Sequence, residues 1–127
     1  VVGRDRMPLA AVRELLRSSG VFAYPCTFAE TSCRAAIRAQ VCGAWPVYRP
    51  LAALAETVRG GVAVDADPKT AEGQDRFVAA IVDAMLRPPS EGDRRALAID
   101  AAAYHDPWSE WARLAGVQKR ECAEVTR

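Results

Sequence analysis

The chain has 127 residues, half of them hydrophobic, which suits one domain with one modest core. A formal net charge of +1 and a pI near 7.8 argue against nucleic-acid and membrane-surface partners. No apolar run approaches the roughly 20 residues of a membrane-spanning helix, and nothing at the start reads as a secretory leader, which points to the cytoplasm.

The opening Val1-Val2 reads as the end of a strand, and a first residue other than Met suggests a processed or excised piece. From Pro8 to Arg17, Leu9, Val12, Leu15 and Leu16 share one helical stripe, with Pro8 suited to the first turn and Gly20 to the stop. "VFAYP" (21–25) is a short apolar run that ends at proline and predicts a buried strand. A helical pattern follows from about Thr31 to Cys42, stopped by Gly43. "WPVYRP" (45–50) predicts a second strand, Leu51 to Arg59 a third helix closed by Gly60 and Gly61, and "VAVD" (62–65) a third strand. Short apolar strands alternating with helices mean parallel β-α-β units with right-handed crossovers and both sheet faces covered.

After Asp65 the alternation gives way to helices, a tail that starts near residue 68. Its first helix is predicted to turn Phe77, Ile81, Ala84 and Met85 inward. Ser90 and Asp93 form a capping-box signal for a helix over about 91–104. Asp106-Pro107 starts a last helix that carries Trp108, Trp111, Leu114 and Ala115 on one stripe, read as core anchors. The expected fold class is α/β: a Rossmann-like parallel sheet of three or four strands with C-terminal helices, short of the six strands of a full one.

The four cysteines, Cys26, Cys33, Cys42 and Cys122, contain no C-x2-C pair, and the one histidine, His105, stands far away. Zinc sites use closely spaced ligand pairs, so free thiols in a reducing compartment are expected, with no metal. His105 beside Asp106 reads as a helix junction, and Trp45 as packing.

In open parallel sheets, ligands collect at the carboxyl ends of the strands against helix N-termini. "YPCTFAETSC" (24–33) is such a junction. The amides of Thr31, Ser32 and Cys33, at the positive end of the helix, would bind an anionic oxygen or a sugar hydroxyl. Glu30 beside them is an acceptor-only carboxylate able to hold hydroxyls. Together they suit a phosphorylated sugar, while a Glu that merely caps the helix fits the spacing as well. Tyr48, Arg49 and Pro50 follow the second strand, where nucleotide bases or sugars are often met.

The runs "ETSCRAAIRAQVCGAWPV" and "RPLAALAETVRGGVAVD" resemble the donor-binding half of GT-B glycosyltransferases, the retaining group called family 4 or group 1. The shared pattern is a proline-ended strand (Pro25), a Glu opening a helix (Glu30), Ala39 to Gly43, Pro46-Val47, then Glu56, Val58 and Gly61. The upstream "VRELLRSSGVFAYP" and the late Trp108 and Trp111 match in kind and order, so the resemblance spans nearly the whole chain.

The resemblance implies a C-terminal GT-B domain over 1–127 that takes a nucleotide-diphosphate sugar and transfers the sugar with retention, without a metal or other cofactor. Glu30 would be the catalytic-site carboxylate that positions the sugar, with the amides of Thr31, Ser32 and Cys33 on the sugar or diphosphate and Glu56 near the donor. The residue eight beyond Glu30 would be a second carboxylate gripping the ribose hydroxyls, and here it is Arg38.

A guanidinium only donates, so Arg38 cannot accept from two hydroxyls. Losing a charge-assisted bond costs about 1.5–3 kcal/mol, one or two orders of magnitude in affinity. Arg38 could instead fork onto a phosphate. On a continuous helix Glu30, Arg34 and Arg38 would share one face, with Arg34 pairing weakly to Glu30. The family's basic glycine-rich loop and acceptor-binding N-terminal domain are not represented, so transfer would need that domain or a second chain. The other expectation is a catalytically inactive interaction or regulatory module.

Overall fold

The computed structural model of the chain describes residues 7–106. The Val1-Val2 strand end, Cys122 and the last helix with Trp108 and Trp111 lie outside the described residues.

The elements are α1 (Leu9–Ser18), β1 (Val21–Tyr24), α2 (Arg34–Val41), β2 (Trp45–Tyr48), α3 (Leu54–Thr57), β3 (Val62–Ala63), α4 (Ala71–Leu86) and α5 (Glu91–Tyr104). The strands form one parallel sheet in the order β1-β2-β3. Val21 pairs with Trp45 and Tyr24 with Tyr48, so β1 and β2 end level at one carboxyl rim. A mixed α/β fold with a three-stranded parallel sheet is thus present, compatible with a Rossmann-like arrangement.

Alternation along the strands divides the core in two. On one face Phe22, Tyr24 and Tyr48 pack with Cys26, Cys33, Ala36, Leu54 and Val58 beneath α2 and α3. On the other, Val21, Trp45 and Val47 pack with Val64, Phe77, Ala80 and Ala84. The helical region beyond residue 68 is therefore more than a tail: α4 supplies the second covering layer.

Three helix expectations need correction. The second helix begins at Arg34, not near Thr31, because Cys33 turns its side chain into the core and serves as N-cap, its carbonyl accepting from Ile37 N at 3.1 Å. The third is one turn long, Leu54–Thr57, because Ala52 adopts a left-handed φ of 51° that no α-helix continues through. Met85, expected inside, is 66% exposed, since α4 there reaches the sheet's edge at β1.

α5 forms as its caps dictate. Ser90 and Asp93 close a reciprocal capping box, and His105 is the C-cap, its Nε2 3.0 Å from Thr57 O. The helix packs on α2, and Arg94 donates to Gly43 O at 2.6 Å and Ser19 O at 3.0 Å. One side chain thus ties together the loops that enter β1 and β2. Gly61, at φ 110°, runs so close to Pro46 that a Cβ would overlap the Pro46 carbonyl oxygen.

Candidate functional site

The carboxyl rim is built from the ends of β1 and β2. The strand period turns Tyr24 toward the α2 face, and Pro25 stops the strand, so residues 25–33 must cross the rim as a loop. Cys26 N bonds back to Tyr24 O at 2.9 Å, which folds the loop onto the strand end.

Glu30 then turns back over that end. Its Oε1 accepts from the Tyr24 hydroxyl and, at 3.5 Å, from the Cys26 thiol. The Tyr24 bond, the larger influence, holds the Glu30 carboxyl below its ordinary value, against a smaller opposing effect of burial. The same bond, aided by burial and the neighbouring Cys33 thiol, pushes the Tyr24 phenol up. The nearby Cys33 thiol lowers the carboxyl further. One partly buried carboxylate is thus ringed by a phenol and two thiols.

The backbone of Glu30 carries a further link. Its carbonyl accepts from Ala53 N at 3.3 Å, joining the loop after β1 to the loop after β2. On that second loop Arg49 donates to Cys26 O at 3.4 Å and pairs with Asp67 at 3.5 Å. Arg49 therefore braces all three loops that leave the carboxyl rim, a role that spacing could not disclose.

The other sequence-derived residues fall around this centre. Thr31 and Ser32 are exposed and precede the helix. The amides without an intrahelical partner are those of Cys33, Arg34, Ala35 and Ala36, so Cys33 alone of the expected trio belongs to that set. Glu30 lies in the loop and shares no helical face with Arg34 and Arg38. Arg34 is exposed and forms no ion pair with Glu30, and Arg38 is half-buried one turn along α2. Glu56 is exposed on α3, two positions beyond Leu54, which is fully buried. Tyr48 is buried, and burial raises its phenol.

Gln40 was not anticipated. It is fully buried on α2, donates to Ala36 O at 3.1 Å and Thr57 O at 3.2 Å, and accepts from Arg59 N at 2.7 Å. Its only sequence signal is a polar residue on the apolar side of α2.

Cys26 and Cys33 are buried free thiols and Cys42 is a half-buried one. Among the described residues no three His, Cys, Asp or Glu side chains gather as metal ligands, and no helix is long and apolar enough to cross a membrane. A cavity of about 520 Å³ lies at the opposite, amino rim, between the end of α2 and the start of α5. Arg94 lines it but is spent on two loop carbonyls. The chain matches no protein-family model, no curated protein and no solved structure.

Proposed function

We propose that the carboxyl rim binds the sugar of a nucleotide-diphosphate sugar and that the chain is the donor-binding domain of a retaining glycosyltransferase. The observation that carries this reading is Glu30 itself. A carboxylate held in its charged form by Tyr24 stands where a parallel sheet receives ligands, beside the unfilled amides that open α2.

In this reading Glu30 accepts from sugar hydroxyls, and the amides of Arg34 and Ala35, exposed at the start of α2 beside the buried Cys33, face the diphosphate, with Thr31 and Ser32 on the approach. Departing charge is met by amides and arginines rather than a metal. Arg38 takes a phosphate oxygen in place of the ribose hydroxyls. Glu56 lies on the neighbouring helix as an outer contact. Transfer requires an acceptor-binding partner, a preceding domain or a second chain.

Arg38 also favours a second reading, an inactive module of the same fold that recognises a protein. Calorimetric titration of nucleotide-sugars separates the two. Binding by the parent chain that Glu30→Gln weakens at least tenfold supports the donor site. Binding only by Arg38→Glu indicates a decayed site, and binding by neither chain sinks the donor reading.

A further inference from the structure

The loop that crosses the carboxyl rim is bracketed by buried thiols. Cys26 follows Pro25 at its beginning and Cys33 is the N-cap of α2 at its end; they are 4% and 2% exposed. Both belong to the one core cluster beneath α2 and α3, against which Tyr24 packs. Between them Thr27, Phe28, Ala29, Thr31 and Ser32 are exposed, so the loop leaves the core at one cysteine and returns to it at the other. No helix or strand occupies residues 25–33.

Glu30 is what the two thiols share. Cys26 Sγ lies 3.5 Å from Glu30 Oε1 and 2.9 Å from Phe28 O. Cys33 is near enough to lower the same carboxyl and to raise the Tyr24 phenol. As packing, each thiol is a small apolar side chain. Gathered in one cluster at the two ends of one irregular loop, they are also a dithiol.

We propose that Cys26 and Cys33 are a redox couple, which a peroxide closes to a disulfide across the rim loop. One sulfur attacks a peroxide oxygen; the O–O bond breaks, leaving a sulfenic acid and, from hydrogen peroxide, water. The second sulfur attacks the sulfenic sulfur, the S–S bond forms and a second water leaves. The two thiols give up the two electrons that reduce the peroxide. The loop, free of regular structure, supplies the movement that brings the sulfurs to bonding distance.

The bridge acts on Glu30. A disulfide has no S–H, so Glu30 Oε1 and Phe28 O both lose Cys26 as a donor. The Glu30 carboxyl then rises toward its ordinary value, with Tyr24 still holding it. The couple itself does not rest on the donor reading. Its effect on sugar binding does, because it alters the carboxylate which that reading assigns to the sugar.

Peptide mapping of the full native chain tests it. Trypsin cuts after Arg17 and Arg34, which places Cys26 and Cys33 on one peptide and Cys42 on another. After hydrogen peroxide and then alkylation, the peptide 18–34 is expected to be lighter by two hydrogens, with neither cysteine alkylated, and dithiothreitol is expected to reverse this. In the oxidised chain the Glu30 carboxyl should titrate at higher pH than in the reduced one. Alkylation of both cysteines at a peroxide dose that has oxidised Cys42 overturns the couple, as does a sulfinic acid in place of the bridge. Bridging of the pair only in urea overturns it too, and an unmoved Glu30 titration overturns the link to the carboxylate. Calorimetry with nucleotide-sugars is read separately: a bridge that forms in a chain binding no sugar leaves the couple standing and removes the donor reading alone.

Discussion

The Tyr24 hydroxyl donates to Oε1 of Glu30, so the last residue of β1 fixes a carboxylate that the chain reaches only six residues later. Removing the hydroxyl by Tyr24→Phe should destabilise the fold by about 1.5–3 kcal/mol, the range for a hydrogen bond to a charged group. The Glu30 carboxyl should rise toward its ordinary value. Urea unfolding and carbon-detected carboxyl titration measure the two effects, and an unmoved Glu30 titration would refute the assigned cause.

The same pair sets a pH window. Glu30 is depressed in the folded state, so its contribution is complete above the ordinary value of 4.5 and is lost as pH falls through the folded value. Tyr24 is raised, so its contribution is complete below 10.0 and is lost as pH climbs through the folded value. Stability against pH should show a plateau between these limits, and Tyr24→Phe should flatten both shoulders. A variant whose profile keeps the parent's acid shoulder would contradict this account.

Gln40 should be intolerant of an apolar isostere. Gln40→Leu keeps the volume but leaves Arg59 N without its partner and removes a donor from Thr57 O. We expect a loss of about 2–4 kcal/mol, one buried unmet donor plus a lost bond. Thermal unfolding reports it; a shift of less than about 2 °C would mean that relaxation satisfies Arg59 N elsewhere.

Glycine substitutions should act in opposite senses at two positions. Ala52 bears left-handed strain of roughly 1–2 kcal/mol, so Ala52→Gly should stabilise by up to about 1 kcal/mol after the added chain entropy. Gly61→Ala should destabilise by about 3 kcal/mol or more, since strain at φ 110° adds to overlap with Pro46. Paired denaturation curves check both signs.

Legibility in the sequence followed the range of the forces. α5 was readable almost to the residue because the Ser90–Asp93 capping box is local. The strands were readable as short apolar runs, although β2 ends at Tyr48 and β3 at Ala63, each two residues short of the expected run, and only β2 is largely buried. The start of α2 was not, because a distant side chain, Tyr24, draws Glu30 off the helix and Cys33 is buried by packing. The brevity of α3 was hidden in the φ of Ala52, an alanine being the strongest helix former. At the candidate site, Glu30 and its place near the rim were visible, while its phenol and thiol partners and the brace from Arg49 required three dimensions.

Arg94 lies 51 positions after Gly43 and 75 after Ser19, yet it holds the carbonyls of both. During synthesis the first two strands therefore emerge long before the side chain that clasps their entrances. The two strand entrances are clasped together only once α5 is in place.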